Sequence, residues 1–409
     1  MQLHFYAISE IGKPGEKWQK LYNTHWPAYQ NWLESKKDYK LPTLKASKAA
    51  LKKYMPEMLP LHRHLCKLVK ADRKAAVFLT GFQPPAYVFG CAQAVHKGKE
   101  VRLIRNYDYH PHLLEGTQLL SSWNGKKVIA TGDCLIGALD GINEDGLAIS
   151  LSFGGRKKVG YGFGIPFILR YILEFCSTTK EAVVALKRIP SHMAYNVTVV
   201  DKSGNHKTVR LVPDKPAIVT EANFATNHQE TIHWPENALH NQTLKRSASL
   251  EKTLQINKMD PEGILQAFLE PPLYNTRFSE GFGTLYTAVY RPEKGIAELH
   301  WPGEKLVQTF ENFSEAYTKI DFSKEEQIVS SWEEPGTGKT SSEKYPPEDW
   351  KENLAESLVH AVAKENPDLD KSQLEKLRRK ILKPGVISWS SFAGFWSKPK
   401  NRSAEKDKK

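Results

Sequence analysis

The feature of the sequence that most constrains the fold is a pair of strand-like runs, residues 86–95 and 101–109, joined by a short polar turn. Apolar residues flank a small-residue step in the first run, and the turn contains Gly98. Two runs separated by such a turn predict a β-hairpin. The first strand of this hairpin carries the step Gly90–Cys91, and the second strand presents Arg105 and Asp108 near its end.

Cleavage of the chain before Cys91 would give this residue a thiol and a free α-amine together. A free thiol has a pKa of about 8.5 and needs a base near pH 7, and an α-amine with a pKa of about 7.7–8.0 can be that base. Gly90 can adopt the strained backbone that lets the thiol reach the preceding carbonyl. Arg105 would favour the thiolate, and Asp108 would accept a hydrogen bond from the amine or the thiol. The simpler interpretation of a lone Gly-Cys step is a small buried residue.

The composition is typical of a globular protein, with 40% apolar and 25% charged residues in 409. This length favours one large domain with appendages. No apolar run approaches the roughly 18 residues of a membrane helix, and the first ten residues do not have the pattern of a secretory signal. The cysteines show neither a CxxC motif nor a disulfide framework, so we expect a reducing, cytoplasmic environment. They stand at Cys66, Cys91, Cys134 and Cys176.

The formal net charge of +12 raises the question of a polyanionic partner. The lysines are spread along helical stretches and gathered in the tail, from Lys398 to Lys409. Solvated helix faces and a basic tail account for this pattern more simply, so we do not expect nucleic acid as a partner. A catalytically silent protein that binds a polyanion remains the alternative hypothesis to an enzyme.

Strand-rich stretches are interrupted by a predicted helix pair, residues 167–175 and 179–188, with Ser177 or Thr178 as N-cap of the second helix. This order favours helices layered on sheets over a doubly wound parallel fold. We predict an α+β fold. Helical spacing of apolar residues predicts a helical front section or propeptide over residues 1–90. A core over 91–322, a linker over 323–347, and C-terminal helices with a basic tail over 348–409 complete the predicted organisation.

Two other motifs carry less weight. Residues 334–341 resemble a phosphate-binding loop, but position 333 holds Glu in place of the first glycine, and no helix can follow. Two His-x-His pairs, at 62–64 and 110–112, do not have the i, i+4 spacing of a helical zinc site and have no thiolate or carboxylate cluster near them in sequence. We therefore predict neither a nucleotide site nor a metal site.

Five segments stand in an informative order along the chain: Gly90–Cys91, Arg105–Asp108, Gly141–Ala148, Tyr195–Asp201 and Thr226–His228. Together they resemble the acyl-coenzyme A:6-aminopenicillanic-acid acyltransferase family. This family consists of autoproteolytic N-terminal-nucleophile hydrolases related to conjugated bile acid hydrolases and penicillin V acylases. The resemblance covers about residues 85 to 305 and does not extend to the front section or the tail.

The resemblance implies a four-layer αββα sandwich, matured by cleavage between Gly90 and Cys91 into a heterodimer of its own two fragments. Such an enzyme acts on the acyl group of a small amide or thioester through a thioester on its cysteine. It needs no cofactor, and a coenzyme A thioester is one candidate substrate. Whether the acyl group passes to water or to an amine stays open.

The same resemblance implies roles for particular residues. Cys91 corresponds to the nucleophile and, through its α-amine, the base. Arg105 and Asp108 match the arginine and the aspartate that orient it. Asn196 matches an asparagine that helps to form the oxyanion hole, where one lost donor costs about 10²–10³ in rate. Arg246 matches a later arginine of the site.

Two further residues are candidates for substrate binding. Ser152 stands where the bile acid hydrolases carry an asparagine in a Gly-Leu-Asn-Phe segment. This departure affects the second oxyanion donor and argues against a bile-salt substrate. Asn227 belongs to an Asn-His step that is similar to one in the family, but the resemblance gives it no defined role.

Overall fold

The computed structural model describes residues 2–36, 38–256, 260–278, 282–322 and 370–382. The chain divides into two units, residues 1–335 and 336–409. The predicted linker over 323–347, the first of the predicted C-terminal helices and the basic tail lie outside the described residues. The described part of the second unit is one helix, Lys371–Leu382, numbered α10 below. No helix among the described residues is long and apolar enough to cross a membrane.

The described part of the first unit contains fifteen strands and nine helices. The strands are β1 (Gln2–Glu10), β2 (Gly90–Lys97), β3 (Val101–Tyr109), β4 (Thr117–Ser121), β5 (Val128–Asp133), β6 (Gly137–Asn143), β7 (Leu147–Phe153), β8 (Tyr195–Asp201), β9 (His206–Leu211), β10 (Ile218–Thr220), β11 (Phe224–Ala225), β12 (Gly283–Arg291), β13 (Ile296–Trp301), β14 (Glu304–Thr309) and β15 (Ala316–Asp321). The helices are α1 (Glu16–Ser35), α2 (Leu44–Tyr54), α3 (Met58–Leu68), α4 (Arg73–Phe78), α5 (Ile165–Phe175), α6 (Thr179–Arg188), α7 (Pro235–His240), α8 (Thr243–Ile256) and α9 (Pro261–Phe268).

The strands form two sheets. The larger sheet has nine strands in the order β10-β9-β8-β7-β6-β5-β4-β1-β15, and the smaller has six in the order β11-β2-β3-β12-β13-β14. Neighbouring strands are antiparallel, except that β1 runs parallel to β4. Antiparallel neighbours joined by short turns explain why most of these strands are visible as local hairpins in the sequence.

The two sheets pack face to face, and helices cover their outer faces. Strands β2 and β3 lie against β7, α5 and α6 cover the larger sheet, and α8 and α9 cover the smaller. Because the centre of the larger sheet is covered on both faces, a central strand such as β7 is buried at every position, whereas the outer strands β1, β14 and β15 keep exposed side chains. A second apolar cluster joins the small residues Ala92 and Ala94 of β2 to Leu250 of α8 and Phe268 of α9. The predicted four-layer αββα arrangement is confirmed.

The prediction of a helical front section is wrong for its first residues. Residues 2–10 form strand β1, in which Leu3, Phe5 and Ala7 are buried and alternate with exposed side chains. This period of two indicates a strand, but the strand's partners are far away in sequence. Phe5 pairs with Thr318 of β15, and Ala7 pairs with Gln118 of β4. Helices α1 to α4 follow as predicted.

The hairpin and the helix pair are confirmed. β2 and β3 pair in register from Gly90 opposite Asp108 to Lys97 opposite Val101. Helix α6 begins after Thr178, whose hydroxyl accepts a hydrogen bond from the Glu181 N–H at the helix start. The hairpin fixes which side chains stand beside Cys91.

Candidate active site

The hairpin register brings four side chains to the face of the smaller sheet that looks toward the larger one. Cys91 lies opposite Tyr107, and Gln93 lies opposite Arg105. Successive residues of a strand point to opposite faces, so Cys91 and Gln93 share a face with their partners. All four side chains are buried, and Cys91 is fully inaccessible to solvent in the uncleaved chain.

Arg105 connects the Cys91 thiol to a buried carboxylate. Its Nη2 donates to Cys91 Sγ at 3.0 Å, and its Nε donates to the Leu151 carbonyl at 2.9 Å. Its Nη1 donates to the carboxylate of Asp140, with which it forms an ion pair. These contacts hold the guanidinium with one edge on the sulfur, where its charge stabilises the thiolate.

Asp140 is a site residue that the sequence analysis missed. Its oxygens also accept hydrogen bonds from Tyr286 Oη at 2.8 Å and Tyr290 Oη at 2.5 Å. The signal was an aspartate within the apolar strand β6, since a fully buried carboxylate needs a partner. The sequence did not reveal that this partner is Arg105, 35 residues earlier in the chain.

A second network holds the backbone nitrogen of Cys91. This N–H donates to Asn227 Oδ1 at 3.0 Å. The same oxygen accepts a hydrogen bond from Arg246 Nη2, and Arg246 Nη1 donates to Asp108 Oδ2 at 2.7 Å. The other oxygen of Asp108 accepts from Thr284 Oγ1 at 2.7 Å. Asn227 follows β11, whose register with β2 leads it to the position beside Cys91.

The expected contact of Asp108 with the amine or the thiol is not found in the described structure. Both of its oxygens are occupied, by Arg246 and Thr284, and it lies opposite Gly90 on the outer face of β3. Asp108 therefore contacts the Cys91 nitrogen only indirectly. It binds Arg246, which contacts the Asn227 oxygen that accepts the hydrogen bond from this nitrogen.

Asn196 and Ser152 lie opposite each other on β8 and β7. The Asn196 side-chain amide donates to the carbonyls of Thr226 at 3.0 Å and His228 at 2.9 Å, and no hydrogen-bond partner for its Oδ1 is found among the described residues. The donors expected to face the oxyanion are thus engaged with backbone carbonyls in the uncleaved chain. Ser152 Oγ also donates to the Thr226 carbonyl, at 2.7 Å. These two residues lie close to Gln93, which the sequence analysis missed and whose Nε2 donates to the Asn196 carbonyl at 3.0 Å.

Burial governs the protonation of these groups. Desolvation raises the pKa of the Cys91 thiol to about 12, although Arg105 acts in the opposite direction. Burial also raises the pKa of the Asp108 carboxyl, against the effects of Arg246 and Thr284. The uncleaved chain therefore holds its thiol protonated, and a base must take that proton before the sulfur can act as a nucleophile.

Gly90 is required by close packing. A Cβ at this position would approach Phe282 Cζ to 2.3 Å and Asp108 Cβ to 3.0 Å. Gly90 is not among the glycines with positive φ, so the structure does not show the strained backbone expected before the cysteine. A side chain at position 90 would therefore displace the Phe282 ring or Asp108.

A cavity of about 130 Å³ adjoins the hairpin. Its walls come from α1, the segment before Cys91, the end of β3, the following short 3₁₀ turn and the end of β5. Phe89, two residues before Cys91, and Tyr107, opposite Cys91, both line it. Three of its lining residues are linked, since Tyr29 Oη donates to Glu115 Oε1 at 2.5 Å or to Asp133 Oδ1 at 3.0 Å.

We expect Asp133→Asn to stabilise the chain increasingly as the pH rises. Burial and, next, the Glu115 carboxyl raise the pKa of Asp133 to about 7, whereas an unfolded aspartate titrates near 3.9. Between these values the folded chain holds a proton that the unfolded chain has lost, so wild-type stability falls with rising pH. The advantage of the variant should grow by at most about 1.4 kcal/mol per pH unit.

Denaturant unfolding at pH 5, 6 and 7, in chains that carry Cys91→Ala to prevent cleavage, would measure this effect. Asp214→Asn is the matched control. The exposed ion pair with Arg156 lowers the pKa of Asp214 to about 2, so this variant should change the free energy of unfolding by the same amount at all three pH values. If the change in unfolding free energy caused by Asp133→Asn were also independent of pH, the prediction would be contradicted.

Among the residues that the structure describes, no group of three or more His, Cys, Asp or Glu side chains is placed to hold a metal ion. His62 instead hydrogen-bonds the Ala76 carbonyl through Nε2 at 2.8 Å, and His64 bonds the Pro14 carbonyl through Nε2 at 2.6 Å. The residues of the loop-like motif at 334–341 lie outside the described part of the chain.

The sequence of this chain matches a family described as acyl-coenzyme A:6-aminopenicillanic acid acyl-transferase over residues 95–306, just over half of its length. The match begins four residues after Cys91 and includes Arg105, Asp108, Asn196 and Arg246. No curated protein matches the chain.

Solved structures similar to this chain include a mutant of conjugated bile acid hydrolase from Clostridium perfringens, with 13% identity, a TM-score of 0.41, and coverage of 57% of this chain and 97% of that one. The N-acylethanolamine-hydrolyzing acid amidase orthologue of Caenorhabditis elegans has 17% identity, a TM-score of 0.37, and coverage of 50% and 93%. Penicillin V acylase from Agrobacterium tumefaciens has 15% identity, a TM-score of 0.37, and coverage of 56% and 91%. With TM-scores below 0.5, these structures add no weight to the sequence match.

Proposed function

The chain belongs to the acyl-coenzyme A:6-aminopenicillanic acid acyl-transferase family, and we propose that it is a self-cleaving cysteine amidohydrolase or acyltransferase with Cys91 as its nucleophile. The observation that carries this proposal is the pair of contacts on one residue. Arg105 holds the Cys91 sulfur at 3.0 Å, and Asn227 holds its nitrogen at 3.0 Å. A buried structural cysteine needs an acceptor for its N–H, but it does not need a guanidinium on its sulfur.

Maturation begins with the thiol adding to the Gly90 carbonyl carbon. The C–N bond to Cys91 then breaks as the thiol proton passes to the nitrogen, which leaves Gly90 joined to the sulfur as a thioester. Water hydrolyses this thioester, and the products are a Gly90 carboxylate and a Cys91 residue with a free thiol and a free α-amine. The hydrogen bond from the Cys91 nitrogen to Asn227 supports this step, because it fixes the nitrogen that becomes the leaving group.

In turnover the α-amine of Cys91 takes the thiol proton, and the thiolate attacks the acyl carbon of the substrate. The resulting thioester forms as the amine returns the proton to the leaving group. Water or an acceptor amine then removes the acyl group and restores the thiol. Nucleophile, base and the supporting cation all come from the protein chain, so this chemistry calls for no cofactor.

The second network supports the role of the α-amine as a base. Arg246 lies against the same Asn227 oxygen that holds the Cys91 nitrogen. A cation this close disfavours a second positive charge and lowers the pKa of the amine, which keeps it unprotonated near neutral pH. Asp108 fixes this cation in position.

The position of β1 supports a heterodimer as the mature form. The strand belongs to the N-terminal fragment, and it lies between β4 and β15 of the C-terminal fragment in the larger sheet. Loss of residues 2–10 would expose an edge of β4 and leave β15 without its partner strand in that sheet. The N-terminal fragment is therefore expected to stay bound after cleavage.

Trapping of the acyl group tests this function. Purified protein mixed with 4-nitrophenyl esters of acetic, phenylacetic and octanoic acids, and then quenched in acid, should carry the acyl mass on the fragment that begins at Cys91. Peptide mapping should assign the adduct to the Cys91 sulfur, and Cys91→Ala should carry none. Cys176→Ala, which changes a buried cysteine on another element, should be acylated like the wild type. Turnover without an adduct at Cys91 would contradict the proposal.

A further inference from the structure

The cavity beside the hairpin has an unusual balance of charge. Two carboxyl side chains, Glu115 and Asp133, line it, and none of its described lining residues is a lysine or an arginine. Glu115 is buried, whereas Asp133 is partly exposed and faces the open space. Above the pKa of Asp133, about 7, the cavity therefore offers a carboxylate to its contents with no lysine or arginine as a countercharge.

The acid pair is held firmly in place. The Leu135 N–H donates to Glu115 Oε1 at 2.8 Å, and the Cys134 N–H donates to Tyr29 Oη at 2.8 Å. Cys134 and Leu135 both have positive φ, of 55° and 70°. Two successive non-glycine residues in this conformation are uncommon. The turn after β5 thus keeps Asp133 at the cavity rather than in bulk solvent.

The rest of the wall is mostly aromatic. Trp32, Tyr87, Phe89, Tyr107 and Tyr109 line the cavity together with Tyr29. Aromatic ring faces attract cations, by about 0.5–1 kcal/mol at exposed sites and about 2 kcal/mol where water is excluded. His25 does not supply a countercharge, because burial lowers its pKa. Rings and carboxylates together select for positive charge and against negative charge.

The cavity also has the right position and size to hold part of a substrate. Tyr107 joins it to the nucleophile, since the Tyr107 ring lies 4.8 Å from the Arg105 guanidinium and is opposite Cys91 in the register. Its volume of about 130 Å³ is close to the roughly 150 Å³ of an engineered cavity that admits benzene. A ring or a short chain that carries an amine fits this space.

We propose that this cavity binds the ammonium-bearing end of a cationic substrate, so that the enzyme acts on amides that carry a protonated amine next to a ring-sized apolar group. This inference rests on the proposed function. An uncompensated carboxylate repels a ligand carboxylate, so amides with an anionic group at this position should be poor substrates.

Binding to the uncleaved Cys91→Ala chain tests the inference without any need for turnover. Calorimetry at about pH 8.5, where Asp133 is ionised and phenethylammonium keeps its charge, would compare three probes of similar size, namely phenethylammonium, phenylacetamide and phenylacetate. We expect phenethylammonium to bind at least about tenfold more tightly than phenylacetamide, because a hydrogen bond to a charged group contributes more than a neutral one. Phenylacetate should not bind at the same concentration. Equal or tighter binding of phenylacetate would overturn the inference, whatever the variants do.

When Asp133→Asn is combined with Cys91→Ala, phenethylammonium should bind about tenfold or more weakly, and phenylacetamide binding should be unchanged. Asp214→Asn, which removes an acid paired with Arg156 outside the cavity, is the matched control and should change neither. Unchanged phenethylammonium affinity in a folded Asp133→Asn chain would also overturn the inference. If Cys91 is acylated but the cavity shows no preference for the cation, only this inference is wrong. If the cavity binds the cation but Cys91 is not acylated, only the proposed function is wrong.

Discussion

Cys91→Ala is expected to leave the chain whole and to abolish turnover, because one sulfur carries out both reactions. Intact-mass measurement should give a single species of 46.4 kDa for the variant. The wild type should give two fragments of roughly 10 and 36 kDa, obtained by dividing that mass by length. In gel filtration the two wild-type fragments should elute together under native conditions and separate only in denaturant, since β1 lies inside the larger sheet.

The control for this experiment is Cys176→Ala. Cys176 follows α5, is also buried, and makes none of the contacts of the Cys91 network. The Cys176→Ala variant should be cleaved and should turn over substrate like the wild type. A cleaved Cys91→Ala chain, or a wild-type chain that stays whole while it turns over amides, would contradict self-maturation at Cys91. Native separation of the fragments would contradict the role assigned to β1.

Arg105→Lys is expected to slow both cleavage and turnover by about 10- to 100-fold. Lysine keeps the charge but cannot reach the thiol, the Asp140 carboxylate and the Leu151 carbonyl at once. The lost contact to a charged sulfur is worth about 1.5–3 kcal/mol, and about 1.4 kcal/mol corresponds to a factor of ten in rate. Weaker stabilisation of the thiolate also raises the pKa of the Cys91 thiol. The deficit should therefore shrink as the pH of the assay rises.

The pH–rate profile separates this effect from a general loss of stability. Arg170→Lys is the matched control, because Arg170 is also a fully buried arginine, bonded to the Ile136 carbonyl and Ser121 Oγ at 3.0 Å each. It should lower the melting temperature without moving the profile. An unchanged profile for Arg105→Lys beside a lower melting temperature would reduce Arg105 to a structural residue.

The hairpin that carries the site was predictable because its interactions are local. A polar turn between two apolar runs specifies the β2–β3 pairing, and side-chain alternation then brings Arg105 to the face that carries Cys91. Helices α5 and α6 were predictable for the same reason, with Thr178 as a cap between them. In each case the informative residues lie within about 20 positions of one another.

Other parts of the site depend on contacts that no local pattern reveals. Asp140 meets Arg105, Asn227 meets the Cys91 nitrogen, and Arg246 meets Asp108 across 138 residues. The family resemblance pointed to Asp108 as an orienting residue but not to its indirect action through Arg246. The engagement of the Asn196 amide with backbone carbonyls likewise follows from how β8 packs near residues 226–228.

Local sequence was sufficient for the β2–β3 hairpin and for helices α5 and α6, because strand periodicity, turn chemistry and helix capping act over a few residues. Folding of the whole chain was needed to insert β1 between β4 and β15, and to build an acidic, aromatic cavity from α1, β3 and β5. Charge balance at a buried site is a sum over side chains that are distant in sequence. The proposed substrate selectivity is therefore a property of the packed chain, whereas the proposal of Cys91 as nucleophile could be made from five motifs read in order along the sequence.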